Sequence, residues 1–353
     1  MADPPPLTFS EVLGDLESGR GLDGPSARRV FDAILTGEWT SAQIAGLLVA
    51  LRLRGETAEI VTAAARALRA RMLAVEHQLP LVFDTCGTGG DGQGTVNVST
   101  GAALIVAAAG VPVAKHGNRA ASSRSGSADV LSALGIPIDL PPAAQRGLLE
   151  RANIAFLFAP AHHPAMKHAG PPRRELGVRT IFNILGPLAN PARATHQLVG
   201  AFSDPVRKLM ARALYELEVQ SAWVVHSEDG LDEVSPHGPT RVSVVSPAGV
   251  EERVISPADF GLTRSPKGAL AGGDAEHNAG ILRQVLAGEA HPARTALVLN
   301  AAASLVIARG LSLEQAAALA QTTLDSGAAH ATLETWRELS ERALSHSVTG
   351  PRA

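Results

Sequence analysis

The densest chemical signal in this chain is Asp84-Thr85-Cys86-Gly87-Thr88-Gly89-Gly90-Asp91-Gly92-Gln93-Gly94-Thr95-Val96-Asn97-Val98-Ser99-Thr100, where five glycines surround Asp91 between two apolar runs. Glycines let a backbone approach a ligand and aim successive N–H groups at it, and a helix start adds partial positive charge. Ser99 and Thr100 bring hydroxyls that can meet a phosphate or a phosphate-bound cation. An ordinary capped turn explains those hydroxyls, but not the glycine density, so the segment predicts an anion cradle. It has neither the Gly-Lys-Ser/Thr of a Walker loop nor the dinucleotide fingerprint.

Lys115-His116-Gly117-Asn118-Arg119-Ala120-Ala121-Ser122-Ser123-Arg124-Ser125-Gly126-Ser127-Ala128-Asp129 interleaves three Lys/Arg cations with four serines. That mixture predicts a second loop supplying charge to the same anion rather than a solvated basic turn. Glu228-Asp229-Gly230-Leu231-Asp232-Glu233 is acidic. Alone it reads as surface; opposite two phosphate cradles it reads as ligands for Mg²⁺, which takes one or two carboxylates plus substrate oxygens. A fourth segment holds His162, His163, Lys167 and His168, then Arg173-Arg174-Glu175. The histidine spacing matches no usual zinc pattern. Either Arg173 or Arg174 could fork onto a carboxylate, or pair with Glu175 on a helix surface.

These segments need elements to hold them. Four helices are predicted before residue 75. The first carries Leu7, Val12, Leu13 and Leu16 and stops at Gly19. In the second, Pro25 is a first-turn proline, Val30, Phe31, Ile34 and Leu35 form the face, and Gly37 closes it. A Thr40/Gln43 capping box opens the third through Ile44, Leu47, Leu48 and Leu51 to Gly55, and Thr57 opens the fourth with Ile60, Val61, Ala64 and Leu68. A strand at 81–83, a helix at 99–109 and a strand at 111–114 then form a parallel-sheet unit. Successive strands of such a sheet end on one rim, so the two loops should face each other. Further strands are predicted at 196–202 and 222–225, with a helix from Asp204-Pro205 to 217 between them. A hairpin at 241–245 and 250–255 follows, and the chain is helical from 278 onward.

Composition narrows the classes. The 353 residues hold 31 Lys+Arg against 34 Asp+Glu, a net charge of −3, which argues against coating a polyanion. Only 3% are aromatic, too few for base-stacking platforms, and one Cys excludes a disulfide framework or a multi-thiolate zinc site. With 45% hydrophobic and 18% charged residues there is ample material for a core. Residues 1–6 have neither the basic nor the apolar region of a secretion signal. The apolar stretches 101–114 and 296–308 contain Pro112, or Asn300 and Ser304, and fall short of the roughly 18 residues of a spanning helix. The expectation is a cytoplasmic protein with no membrane or nucleic-acid partner.

In order along the chain, Gly87-Thr88-Gly89-Gly90-Asp91, Asn97-Val98-Ser99-Thr100, Lys115-His116-Gly117-Asn118-Arg119, Ser125-Gly126-Ser127-Ala128-Asp129, Asp232-Glu233, Gly272-Gly273-Asp274 and Asn300-Ala301-Ala302-Ala303 resemble the anthranilate phosphoribosyltransferases, collinearly from about residue 7 to 344. The resemblance implies an α/β fold class. A small all-helical domain would span 1–78, with helices from about 163–190 packing on it, and a large α/β domain 79–353 would carry a central, mostly parallel sheet flanked by helices. It implies a homodimer through the helical domain, and transfer of phosphoribosyl from 5-phosphoribosyl 1-diphosphate (PRPP) to anthranilate in tryptophan synthesis, with two Mg²⁺ per subunit.

By matching motif positions, PRPP would be held by Gly87, Gly90, Asp91, Thr95, Asn97, Val98, Ser99, Thr100, Lys115, His116, Gly117, Asn118, Arg119, Ala120, Ala121, Ser122, Ser123 and Ser127, with Lys115 as charge stabiliser. Anthranilate would meet Gly87, Asn118, His116, His163 and Arg173; Mg²⁺ would meet Ser99, Asp232 and Glu233. Pro172, Arg124 and His162 depart from the Val, Lys and aromatic residue common in that family. A pyrimidine nucleoside phosphorylase would share the glycine-rich loop but not the His-Gly-Asn-Arg run or the Asp232-Glu233 pair. A silent, nucleic-acid-binding relative should have lost the metal residues and gained a basic face.

Overall fold

The computed structural model describes residues 7–120 and 124–349. Ala121, Ser122 and Ser123, expected on the PRPP loop, lie outside the described residues.

The opening helices form where caps and apolar faces agree. α1 (Phe9–Glu17) starts at a Thr8/Glu11 capping box, and α2 (Gly24–Thr36) starts at Asp23 and ends on Gly37 at φ 83°. The Thr40/Gln43 box opens α3 (Ser41–Arg54), and Thr57 caps α4 (Ala58–Arg69). Their faces bury Val30, Phe31, Ile34, Leu47, Leu51, Val61 and Leu68 against one another. Ile181, Phe182, Ile184 and Leu185 join the same core, with the Phe31 and Phe182 rings edge-on at 6.0 Å.

The sheet comprises β1 (Phe83–Asp84), β2 (Val113–Gly117), β3 (Ile154–Phe158), β4 (His196–Gly200), β5 (Ser221–Ser227), β6 (Thr240–Ser246) and β7 (Gly249–Ile255). Its order is β3-β2-β1-β4-β5-β6-β7. The pairs from β3 across to β5 are parallel, and β6 and β7 add an antiparallel edge. α5 (Val98–Ala108) is the crossover between β1 and β2. Side-chain alternation assigns the two faces. Along β5, Ala222 and Val224 join the core shared with the bundle through helix Asp204–Glu216, whereas Trp223 and Val225 turn to the other core. That second core is built on α5 and the C-terminal helices Arg294–Arg309, Leu313–Asp325 and Ala328–Thr349. No single helix among the described residues is long and apolar enough to cross a membrane.

Two expectations shift. β2 begins at Val113 and runs to Gly117, so Lys115 and His116 are strand residues and not loop residues; pairing with β3 through Gly117↔Phe158 extends the strand past the apolar run. β3 itself and the helix before it, Pro142–Ala152, were not anticipated. The Ile-Ala-Phe-Leu-Phe run follows Asn153, whose φ of 56° ends that helix with a left-handed residue.

Candidate functional site

The strand order reverses at β1: β2 and β3 lie on one side, β4 and β5 on the other. In open α/β sheets such a switch point opens a crevice at the C-terminal strand ends. The glycine loop leaves β1 directly into it. Gly89, Gly90, Gly92 and Gly94 have φ of 61°, 76°, 76° and 62°, a left-handed region that side chains rarely adopt. The loop is tied on both sides. Thr88 N–H donates to Gly200 O (2.8 Å) and Thr88 Oγ1 accepts from Phe202 N–H (3.1 Å). Across the crevice Gly272 N–H donates to Gly94 O (2.9 Å), Val96 N–H to Leu270 O (3.0 Å), and Arg179 Nη2 to Gly90 O (3.0 Å).

At the loop's base, fully buried Asp84 accepts from the amides of Cys86 (3.0 Å) and His116 (3.1 Å) and from Asn190 Nδ2 (2.7 Å). Burial pushes its carboxyl up to about 6, opposed by the Asn190 bond and by Lys115. Asp84 therefore fastens the two loop-bearing strands, β1 and β2, together. The same burial pushes the Cys86 thiol up, which leaves it inert.

Lys115, 2% exposed, donates from Nζ to Thr85 Oγ1 (3.2 Å) and Ser99 Oγ (3.1 Å). Ser99 N–H, in the first turn of α5, donates to Glu233 Oε1 (3.2 Å). One serine thus joins the cation on β2 to the acid on the loop after β5. Burial, then the Asp91 charge, raises the Asp232 carboxyl to about 7; burial, then Asp232, raises Glu233 well above the usual range. Asp91 Oδ2 is itself buried, and the Asp91 carboxyl faces that of Asp232. These hard oxygens form no cage of three or more metal-ligating side chains among the described residues. They fit a dication shared with phosphate oxygens, as Mg²⁺ sites are built.

Packing fixes the acidic pair. A Cβ on Gly200 would lie 1.6 Å from Asp232 O, so only glycine lets the β4 end pass this close. Asn300 accepts the Val234 N–H (2.9 Å) and donates to Val234 O (3.0 Å), pinning the residue after Glu233. Asp229 serves the loop's own turn, accepting from Ser227 Oγ and Ser235 Oγ, and Glu228 faces Arg241 at 3.8 Å.

On the second loop, Asp129 accepts from Ala120 N–H and Gly126 N–H (both 2.9 Å) and from Arg119 Nη1 (3.0 Å), closing the neck. Asn118 is exposed at the rim, and its carbonyl accepts from Ser127 Oγ (3.3 Å). Gly117 lies where a Cβ would meet Ser127 Oγ at 2.2 Å. Asn97 caps α5 by position, its amide donating to Ser125 O (3.3 Å), and Thr95 bridges Ala271. Val98 and Thr100 point into the core, and Val98 N–H donates to Val96 O (2.7 Å).

Beside this cradle the buried rings of His116 and His163 lie 5.1 Å apart. His116 Nδ1 meets Gly186 O at 2.9 Å, His116 Nε2 is buried without a partner, and the buried His163 ring lies beside the Ala189 carbonyl. Arg173 is half-buried 5.3 Å over the Phe182 ring and pairs with no acid among the described residues; Arg174 is exposed. His168 sits apart, against Gly37 of the bundle.

Residues 79–330 match the α/β domain of a glycosyl transferase family, and residues 10–72 its helical bundle domain. An anthranilate phosphoribosyltransferase of Bradyrhizobium diazoefficiens is 50% identical over 327 residues, covering 92% of this chain and 97% of its own. The crystal structure of the Thermus thermophilus anthranilate phosphoribosyltransferase is 43% identical with a TM-score of 0.88, over 94% of this chain and 99% of that one. The Saccharomyces cerevisiae enzyme in complex with PRPP and Mg gives 0.87 at 27% identity, over 95% and 98%. The chain belongs to the anthranilate phosphoribosyltransferase family.

Within this phosphoribosyltransferase frame, two further positioning residues stand out. Asn190 bonds both Asp84 (2.7 Å) and Ala114 O (2.8 Å), and Asn278 donates to Asn97 Oδ1 (2.9 Å) while accepting from Gly273 N–H (2.8 Å). Neither carries a signal of its own in the sequence, because each is defined by partners far along the chain.

The buried histidines carry a pH cost. Burial, then the charge of His162, lowers His163 to about 4, and burial, then His163, lowers His116 to about 3. The unfolded chain takes up these protons near pH 6.5 and the folded one does not, so each histidine's contribution falls as pH drops below 6.5. Asp84, raised, works in the opposite direction, and a difference between variant and parent cancels it. Between pH 7 and 5, urea unfolding of His163→Phe should gain about 2 kcal/mol relative to the parent chain. A pH-independent difference would contradict it.

Proposed function

We propose that this chain transfers the phosphoribosyl group of PRPP to the amine of anthranilate, releasing diphosphate, the second step of tryptophan synthesis from chorismate. The observation that carries the reading is the Lys115–Ser99–Glu233 linkage, which puts a buried cation, a helix start and an acidic pair around one glycine cradle. Gly87, Gly90, Asp91, Thr95, Asn97, Ser99, Lys115, residues 116–123 and Ser127 hold PRPP, with Val98 and Thr100 setting the start of α5. Ser99, Asp232 and Glu233 would hold Mg²⁺, two ions per subunit. When bound, Mg²⁺ neutralises the phosphate oxygens.

As the ribose C1–oxygen bond breaks, negative charge grows on diphosphate. Lys115 and the glycine-loop amides stabilise it from a preorganised site. Gly87, Asn118, His116, His163 and Arg173 hold anthranilate so that its neutral amine nitrogen faces C1. Nitrogen bonds to C1, and its surplus proton leaves to water. An arylamine is nucleophilic without a strong base, and the neutral His116 and His163 suit that role as hydrogen-bonding walls.

The domains divide at 78/79. We also read the protein as a cytoplasmic homodimer through the bundle, where Leu53 of α3 is 81% exposed. The direct test is loss of anthranilate fluorescence when PRPP and Mg²⁺ are added to purified protein; no loss would refute the assignment. Arg173→Ala should raise KM for anthranilate about 10- to 100-fold, the worth of a charge-assisted hydrogen bond, and leave KM for PRPP within twofold. Equal changes in both would refute the carboxylate role.

A further inference from the structure

The segment joining α4 to β1 changes its anchorage within a few residues. Arg71 pairs with Asp32 of the bundle, whereas Val75 N–H donates to Pro191 O (3.0 Å) and His77 Nε2 meets Ala192 O (2.9 Å) on the sheet side. Leu73 lies between them and is 49% exposed, so apolar packing does little to hold it. What holds it is His162. Leu73 N–H donates to His162 O (2.8 Å), and His162 Nδ1 meets Leu73 O at 2.7 Å. A carbonyl only accepts, so Nδ1 carries the proton and Nε2 is a bare acceptor, buried without a partner. The next residue is His163, whose ring faces His116, and His116 N–H is fastened to Asp84 (3.1 Å).

We propose that His162 is a positioning residue for the acceptor side of the site: its two-bond clasp on Leu73 ties the bundle-to-sheet connector to the His163–His116 pair that walls the anthranilate slot. The inference rests on the transferase reading. The clasp sets His163 relative to Arg173, which lies over Phe182 of the core shared with the bundle, and neither of its two bonds reaches the glycine cradle.

Two variants separate this from simple packing. His162→Phe keeps ring volume and removes the side-chain bond; His162→Asn restores a donor near the Nδ1 position. His162→Phe should raise KM for anthranilate about three- to tenfold, the worth of one neutral hydrogen bond, with KM for PRPP within twofold. Amide exchange at residues 72–75 should rise with it, and His162→Asn should recover both. Equal shifts in the two KM values, a lowered Tm with unchanged KM, or no recovery in folded His162→Asn would overturn the inference alone. Failure of the parent chain to consume anthranilate would overturn the transferase reading, and this inference with it.

Discussion

Replacing Asp232 by Asn and Glu233 by Gln together should lower kcat/KM for phosphoribosyl transfer on the order of 10²- to 10³-fold, several kcal/mol of lost charge stabilisation, and abolish the response to added Mg²⁺. Stability should move the other way. Both carboxyls are raised above their ordinary values by burial, with Asp91 acting on both and Asp232 on Glu233. A carboxyl whose folded pKa is raised binds more protons folded than unfolded. Its favourable contribution is present at low pH and is lost as pH rises through the folded value, about 7 for Asp232. At pH 8 the native pair therefore strains the fold, and the neutral amides should raise Tm while activity collapses. Steady-state kinetics across a Mg²⁺ series with thermal melts at pH 8 reads both. Retained Mg²⁺ dependence, or a Tm falling in step with activity, would defeat the assignment.

That split explains what was legible in the sequence. Local chemistry was: the Thr40/Gln43 box, Pro25 in the first turn and Gly37 at the end each place a helix boundary of the bundle. The glycine cradle was legible too, because four left-handed residues in one loop leave almost no other residue type. What depends on partners distant in sequence was not. In the acidic loop, Glu228, Asp229, Asp232 and Glu233 look alike on paper. Only folding turns Asp229 onto Ser227 and Ser235, while Gly200 and Asn300 press the Asp232–Glu233 pair toward Ser99. Asn190 and Asn278 were silent for the same reason, since their partners, Asp84 and Asn97, lie 106 and 181 residues away. The polar Lys115-His116 run looks like the start of a loop; its place in β2 comes from pairing with Phe156 of β3, a partner distant in sequence.

The strand position of Lys115 makes its replacement the sharper experiment. Held at 2% exposure between Thr85 Oγ1 and Ser99 Oγ, its ammonium has one geometry. Lys115→Met keeps the stem's volume and removes the charge, so kcat should fall on the order of 10²- to 10³-fold, the cost of deleting one preorganised donor to a developing anion. Lys115→Arg should not restore it, because the longer planar fork cannot enter a pocket shaped for a point charge. A second effect separates a charge role from a packing one. Lys115 counters the burial that raises Glu233, and likewise Asp84. Without it both carboxyls hold their protons to higher pH. The acid limb of the kcat/KM profile should therefore move to higher pH in Lys115→Met, by more than in Arg173→Ala, whose guanidinium is not among the charges acting on either carboxyl. A profile that drops in height without moving would reduce Lys115 to a filler of space beneath the cradle.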